Sequence, residues 1–205
     1  MPSTTSSHIV WTDTPEYAIQ PHSASRQAKY ESRGSTYLGS VDRQILEFTA
    51  WFGFLAPSEM HQLVLGSKST VYRHMSLLEE IGLIEQSDGL LSISGKGLSA
   101  ADLRGYTRRN PAERNPNLVG AFFLVRGMLS DDYTVKTRRQ AKAEGIASPQ
   151  CDLVALLPDG KDIYYFIDDG SLRPYRIRDR VNAGVTVLSV RAPQLRKKGI
   201  QVVPL

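Results

Sequence analysis

The sequence is poor in residues that build cross-links and metal centres. Cys151 is the only cysteine among 205 residues, which excludes an internal disulfide framework and a cysteine-rich zinc site. It precedes an apolar run, so we expect a buried thiol that packs rather than a nucleophile. The four histidines are dispersed, with no partner at metal-ligand spacing, at His8, His22, His61 and His74. The sequence therefore predicts neither a metal nor another cofactor.

Long apolar runs and a phosphate-binding loop are also missing. No apolar stretch approaches the roughly 18 residues of a membrane span, and the first residues lack the apolar core of a signal peptide. We therefore expect a cytoplasmic protein without a membrane partner. The segment LVLGSKST lacks the first glycine and the spacing of a phosphate-binding loop. The formal net charge of +4 is mildly basic and compatible with nucleic acid, although charge alone does not establish that partner.

The most informative segment is residues 67–84, SKSTVYRHMSLLEEIGLI. Its apolar residues repeat at helical spacing and are expected to face a core: Val71, Met75, Leu78 and Ile81. The polar residues on the other side are Thr70, Tyr72, Arg73 and Ser76. Small hydroxyls, one aromatic ring and one arginine at the front of a helix suit groove edges and phosphates. The alternative is an ordinary amphipathic helix with a solvated polar face.

The neighbouring segments favour the first interpretation. Upstream, a helical stripe of Val41, Ile45, Phe48 and Phe52 begins at a predicted Ser40 cap and ends at Gly53. A short helix with Pro57 in its first turn follows and stops at Gly66. Downstream, LIEQ and LLSIS predict two strands joined by a tight turn at Asp88 and Gly89. Three helices and a hairpin, in this order, are typical of a winged helix-turn-helix, in which the third helix enters the major groove. Such modules also bind proteins, and that alternative stays open.

We divide the chain into four parts. Residues 1–39, rich in Ser, Thr and Pro, are expected to be disordered or loosely attached; their cations Arg26, Lys29 and Arg33 would form either a DNA-reaching arm or a solvated tail. Residues 40–103 form the winged helix. Residues 104–150 form a basic connector with an exposed proline-containing linker and at least two helical segments, LVGAFFLVRGML and TVKTRRQAKAEG.

Residues 151–205, together with part of the connector, predict a small α/β unit. Four segments have the length and composition of strands, CDLVALL, DIYYFID, VTVLSV and IQVVPL. Two basic segments between the later strands, SLRPYRIRDRVNAG and RAPQLRKKG, are expected to be helical. Two hairpin-linked strands and two helix-linked ones indicate a mixed sheet with helices packed against it.

Several stretches together resemble a known family. They are DRQILEFTAWFGFLAPSEMHQLV, STVYRHMSLLEEIGLIEQ, LSISGKG, CDLVALLPDG and FIDDGSLRPYRIRDRVNAG, which span residues 41–184. Their order resembles bacterial, plasmid and phage proteins of the replication-relaxation type. The resemblance implies a restriction-endonuclease-like fold for the C-terminal domain. The predicted fold class is therefore α+β, with an N-terminal winged helix-turn-helix and a small α/β domain resembling a degenerate restriction-endonuclease-like fold.

The acidic residues do not complete the nuclease site that this resemblance implies. That chemistry needs an Asp at the start of one strand and an acid, a spacer and a Lys on the next. Asp152 matches the first position, but Phe166 occupies that of the expected acid and no Lys follows Asp168 or Asp169 at the right spacing. We therefore predict that the protein is not an enzyme. An active metal-dependent nuclease with Asp152 and Asp168 or Asp169 as metal ligands is the alternative.

The predicted function is sequence-specific binding of double-stranded DNA by a transcriptional regulator, a repressor of a phage or mobile element. Because one winged helix reads few base pairs, a second surface is needed, either homodimerisation or DNA contact by the C-terminal domain. A replication or mobilisation factor that binds a plasmid or phage origin would use the same surface.

Twelve residues are predicted to contact DNA. Ser69 and Thr70 would cap the third helix, Tyr72 and Arg73 would reach base edges, and Lys96 would lie near the positive end of a later helix. The full set is Lys68, Ser69, Thr70, Tyr72, Arg73, Ser76, Lys96, Arg138, Arg139, Arg173, Arg176 and Arg178.

Overall fold

The protein has an α+β fold with two sheets, a two-stranded antiparallel sheet and a five-stranded mixed sheet. The structure, a computed structural model, describes residues 38–106, 114–146, 150–157, 160 and 162–205. The predicted N-terminal arm, including its three cations, lies outside the described residues except for Leu38, which packs against the core, and Gly39. So does most of the predicted linker, at residues 107–113.

The first part of the described chain contains four helices and a hairpin. The helices are α1 Ser40–Phe52, α2 Pro57–Leu63, α3 Lys68–Glu80 and α4 Gly95–Ala100, and the strands are β1 Ile84–Ser87 and β2 Leu90–Ile93. Three helices and an antiparallel hairpin thus occur in the predicted order. The turn lies where it was predicted, at Asp88 and Gly89, whose φ angles are 51° and 74°. Two consecutive left-handed residues give a turn whose twist matches that of the paired strands.

The helix ends differ from the prediction at two places. Gly39, not Ser40, is the N-cap of α1, because its backbone is extended; its N–H also donates a hydrogen bond to the Asp42 carboxylate at 3.1 Å. Ser40 is instead the first helical residue. The second helix ends at Leu63, before the predicted stop at Gly66. Gly53 does end α1, with a φ of 88°.

The second part forms a five-stranded sheet with helices around it. Its elements are α5 Leu118–Met128, β3 Thr134–Thr137, α6 Arg138–Ala143, β4 Leu153–Leu156, β5 Ile163–Asp168, α7 Pro174–Asn182, β6 Thr186–Ser189, α8 Ala192–Lys197 and β7 Val203–Pro204. The strand order is β3-β4-β5-β6-β7. Pairing is antiparallel from β3 to β5 and parallel from β5 to β7. The predicted mixed sheet is confirmed.

Strand β3 lies where the sequence predicted helix. The predicted basic helix TVKTRRQAKAEG begins only at Arg138, after four residues of strand. Val135 and Thr137 are buried, whereas Thr134 is exposed and Lys136 half-buried, which is the alternation of a strand with one buried face. The other connector prediction, a helix at LVGAFFLVRGML, is confirmed as α5. Arg114, predicted to lie in an exposed linker, forms an ion pair with Glu59 at 2.7 Å.

The two faces of the sheet belong to two separate apolar clusters. Leu188 of β6 joins the larger cluster, the main core, together with Ile45 of α1 and Val71 of α3. Its neighbour Val187 faces the other way, into a smaller cluster with Ile177 of α7 and further residues of α8 and the chain end. Helices α1 and α3 thus share the apolar cluster of one sheet face, and α7 and α8 share that of the other.

The main core crosses both predicted boundaries, at residues 103/104 and 150/151. The ring of Phe52 in α1 packs edge-on against Phe122 in α5, with centroids 5.5 Å apart. The Thr137 hydroxyl donates a hydrogen bond to the Trp51 carbonyl at 2.8 Å. The first part is therefore packed directly against the sheet. Across the described ranges, none of the helices has both the length and the apolar character that crossing a membrane requires.

Two glycines in α4 give a matched test of this packing. A Cβ added at Gly97 would lie 2.1 Å from the Leu83 carbonyl oxygen, whereas one added at Gly95 meets nothing within 4 Å. We expect Gly97→Ala to lower the free energy of unfolding by roughly 1–3 kcal/mol through overpacking. Gly95→Ala should leave it unchanged or raise it by about 0.5–1 kcal/mol. Urea unfolding of both variants checks this, and equal midpoints would contradict the close approach of α4 to the hairpin.

Candidate nucleic-acid interface

Helix α3 begins with a group of hydroxyls at its positive end. Ser67 has an extended backbone, and its Oγ accepts a hydrogen bond from the Thr70 N–H at 3.2 Å. The same Oγ lies 3.0 Å from the Ser69 Oγ and 2.8 Å from the Thr70 Oγ1. The prediction that Ser69 and Thr70 cap the helix is therefore wrong, because the residue with non-helical backbone is Ser67. Ser69 and Thr70 lie in the first turn, where the helix dipole favours an anion.

The exposed side of α3 carries the predicted polar residues. Ser69, Arg73 and Ser76 are exposed, and their spacing of three to four residues places them on one side of the helix. The opposite side buries Val71, Met75 and Leu78, as predicted; the fourth predicted core residue of this stripe, Ile81, is half-buried. The helix thus has one side in the main core and a short polar row facing outward.

Tyr72 and Lys68 form one flank of this row. The Lys68 ammonium lies 5.6 Å from the centre of the Tyr72 ring, a cation–π contact. Tyr72 is half-buried and packs against the main core, so only part of its ring faces solvent. The Ser76 Oγ donates to the Tyr72 carbonyl at 3.2 Å, which leaves the oxygen lone pairs of Ser76 facing outward as acceptors.

A buried acid fixes α3 against α1. The His74 Nδ1 lies 2.6 Å from the Asp42 Oδ1, and the side chains are 18% and 3% exposed. The second oxygen of Asp42 accepts from the Gly39 N–H, so one carboxylate caps α1 and orients α3. The ring of His74 is therefore mostly enclosed by the fold. Sequence reasoning missed Asp42, although an acid in the first turn of a predicted helix is a visible capping signal.

The charge of this region is unevenly distributed. Residues 38–106 contain five Lys and Arg and eight Asp and Glu, a formal charge of −3. Four of the acids are exposed on the last turn of α3 and on the hairpin: Glu79, Glu80, Glu85 and Asp88. These carboxylates would repel the phosphates of a nucleic acid. The part of this region suited to nucleic acid is therefore the N-terminal half of α3.

Lys96 does not belong to that surface. It is the second residue of α4, but its ammonium donates a hydrogen bond to the Ile81 carbonyl at 2.8 Å. Ile81 is the C-cap of α3, and α3 rises about 1.5 Å per residue over its length. Lys96 therefore stabilises the C-terminal end of α3 and lies far from the hydroxyls at its other end. The predicted phosphate contact is not supported by this position.

The predicted C-terminal contacts also lie apart from α3. Arg138 is exposed and Arg139 half-buried, both in the first turn of α6. Arg173, Arg176 and Arg178 are exposed on or at the start of α7, which packs on the sheet face opposite to α1. The structure thus brings together the predicted residues of α3 and separates them from those of α7.

The acids of the alternative nuclease site stabilise the sheet. Asp168, at the end of β5, is fully buried, and Arg191 donates to both of its oxygens, at 3.0 and 3.2 Å. The Ser189 hydroxyl donates to the same carboxylate at 2.6 Å. The Asp152 carboxylate accepts from the Ile167 N–H at 2.8 Å. Sequence reasoning missed Arg191, which lies 23 residues beyond its partner.

The residues around Asp152 and Asp168 also have partners within the protein. Phe166, at the position of the expected acid, is covered by the Arg180 guanidinium, 3.9 Å from the ring centre. Asp169 is exposed, and hydrogen bonds from Ser171 lower its pKa. Within the described part of the chain, no three His, Cys, Asp or Glu side chains are placed to hold a metal ion together. Cys151 is buried, as predicted.

Comparison with known proteins adds no relative from which a role could be transferred. The chain matches no protein-family model, and neither the curated proteins nor the solved structures contain a significant match. The resemblance to the replication-relaxation type therefore stays a prediction from sequence.

The Asp42–His74 contact should be much stronger than an exposed ion pair in the same helix. We expect a double-mutant cycle of Asp42→Ala and His74→Ala to give a coupling of roughly 1.5–3 kcal/mol, because a buried charged hydrogen bond is lost. The control cycle uses Arg43→Ala and Glu47→Ala, whose side chains pair at 3.4 Å with Arg43 62% exposed. That exposed pair should couple by only about 0.3–0.5 kcal/mol. Equal couplings, measured by urea unfolding, would show that Asp42 does not fix α3.

Proposed function

We propose that residues 40–103 form a winged helix-turn-helix with α3 as the recognition helix, and that the protein binds duplex DNA sequence-specifically as a transcriptional repressor. The observation that carries the proposal is the exposed N-terminal half of α3, which has Ser69 and Arg73 on one outward side and Lys68 on its flank. The order of three helices and a hairpin supports it, as does the apolar stripe that holds α3 in the main core.

The proposed contacts follow from the chemistry of this half-helix. The hydroxyls of Ser67, Ser69 and Thr70 and the N–H groups of the first turn would bind one phosphate at the positive helix end. Lys68 would contact the backbone beside it. Arg73, one turn further along, would reach the floor of the major groove and donate to guanine O6 and N7. Phosphate contacts would set the register, and Arg73 would read sequence.

The hairpin would contribute little to this binding. Its turn carries Asp88 and its first strand carries Glu85, both exposed, and carboxylates near phosphates weaken rather than strengthen association. One chain would then read only the few base pairs beneath α3. A repressor with this reading head needs a second copy or a second DNA surface to reach useful specificity.

The C-terminal sheet supports a binding role rather than hydrolysis. We take it as a degenerate restriction-endonuclease-like scaffold, in which Arg191 neutralises Asp168 and Asp152 accepts from a backbone N–H. A carboxylate held by a bidentate arginine is a poor metal ligand, because the guanidinium occupies the oxygens that a cation needs. Incubation with plasmid and Mg²⁺ or Mn²⁺ tests this, and cleavage abolished by Asp152→Ala would contradict it.

Selection of bound sequences from a random duplex pool tests the proposed function. We expect enrichment of a short motif, and a palindromic motif would indicate a homodimer. The genomic position of the motif separates a repressor, whose sites overlap promoters, from a factor that binds an origin. Absence of any enriched motif would contradict sequence-specific binding.

Arg73 is expected to carry sequence preference as well as affinity. Loss of one bidentate arginine–guanine contact costs roughly 1–3 kcal/mol, so Arg73→Ala should weaken binding to the selected site by about tenfold or more. It should also reduce discrimination against a changed guanine. The control is Arg104→Ala, which removes the same charge from an exposed side chain paired with Asp102. Titration of both variants against matched and changed duplexes checks this, and equal effects of the two substitutions would place Arg73 outside the groove.

A further inference from the structure

The positive charge of the chain is concentrated at its C-terminal end. Residues 171–205 contain eight Lys and Arg and a single acid, Asp179. Because the whole chain has a formal charge of +4, this segment carries +7 and the remainder −3. The proposed reading helix α3 belongs to the negative remainder and itself contains Lys68 and Arg73. Two cations at a reading surface allow few phosphate contacts.

Three of the eight cations stabilise the fold. Arg180 donates to the Gln150 carbonyl at 2.7 Å and covers Phe166. Arg191 pairs with Asp168, and Arg196 donates to the Val202 carbonyl at 2.9 and 3.0 Å.

The remaining five lie exposed on the outer layer. We call this set the outer basic surface: Arg173, Arg176, Arg178, Lys197 and Lys198. Arg178 donates to the Lys198 carbonyl at 3.3 Å, which connects the exposed side of α7 with the end of α8. Tyr175, 53% exposed, adds a hydroxyl beside Arg176, whose Nε lies 3.4 Å from it. Exposed guanidinium, ammonium and phenol groups match the oxygens of a phosphate backbone.

The outer basic surface faces away from α3. Ile177 and Leu195 anchor α7 and α8 on Val187, whereas the adjacent Leu188 points into the main core with α1. Helix α3 also belongs to the main core, so it and α7 lie in the apolar clusters of opposite sheet faces. Duplex DNA is stiff over about 150 base pairs, so a duplex lying on α3 would have to bend sharply to contact α7 as well.

We propose that the outer basic surface binds the backbone of a second duplex DNA segment, without reading its sequence, so that one chain bridges two segments. The inference rests on the proposed function of α3, which holds the first segment. The negative charge around α3 and the positive charge around α7 would then make DNA binding at the two helices depend on different factors. Binding at α3 depends on sequence, and binding at α7 depends mainly on salt.

A capture assay with two duplexes tests this. An immobilised duplex carries the selected site, the full-length protein is bound to it, and a labelled duplex without the site is then offered. The test variant is Arg176→Glu/Lys197→Glu, and the control is Arg104→Glu/Lys142→Glu, exposed residues on the other side of the sheet. Both double substitutions change the net charge equally. Thermal unfolding checks that each variant folds, and Arg178→Gln/Lys198→Gln replaces the test variant if it does not.

We expect the wild-type protein and the control to capture the labelled duplex. The test variant should bind the immobilised site within about threefold of the control but capture roughly tenfold less label, since two phosphate contacts become repulsive. Equal capture by test and control variants would mean that two copies of the chain form the bridge, which overturns the inference. Parallel loss of site binding and capture would place both surfaces on one duplex and also overturn it.

The failure of the inference is distinct from that of the proposed function. If the wild-type protein binds the site but captures no second duplex, the bridging inference is wrong and the function of α3 stands. If the wild-type protein binds no selected duplex at all, the proposed function fails and the inference fails with it.

Discussion

The rest of the structure depends on the burial of α1. Ile45, Leu46 and Ala50 are completely buried, because α3, the hairpin and α6 pack against this helix and Phe52 contacts Phe122 of α5. A helix enclosed in this way must satisfy any polar group it buries. Thr49 does so locally, since its hydroxyl lies 2.8 Å from the Ile45 carbonyl and 2.9 Å from the Leu46 carbonyl. The orientation of α3 relative to the sheet is therefore set by packing on a single helix.

Local periodicity was enough to predict the elements of the first part. The stripes of α1 and α3 and the turn at Asp88 and Gly89 depend on residues close together in the sequence. The exact cap residues did not follow, because Ser67, Ser69 and Thr70 all have hydroxyls and only the backbone conformation selects Ser67. Strand β3 was missed for a related reason. Its four residues adjoin a basic segment with helical periodicity, and their alternation of apolar and polar side chains is too short to predict a strand. Their pairing with β4 is a tertiary contact, which local sequence does not reveal.

The sequence predicted which residues of α3 are exposed, but not which of the candidate residues lie near one another in the fold. Arg73, Ser69 and Ser76 share an exposed side because helical spacing fixes it. The separation of α3 from Arg176 follows only from which sheet face each helix covers. Asp168 was considered as a possible metal ligand, and its partner Arg191 is distant in sequence. Contacts of this kind depend on the sheet order β5-β6, which periodicity does not specify.

The shared core has a consequence for how the protein would hold DNA. In proteins with a flexible linker between two binding modules, the second binding event depends on an effective concentration set by the linker. Here α1 packs against both α3 and α6, and the Phe52–Phe122 and Thr137–Trp51 contacts connect the two parts directly. The relative position of α3 and α7 is then fixed by close-packed side chains, which deform little. Two duplexes bound at these surfaces would be held at a defined separation and orientation. Such rigidity would favour pairs of DNA segments that already lie at this separation and orientation. The packing around α1 would then contribute to which DNA segments the protein binds together.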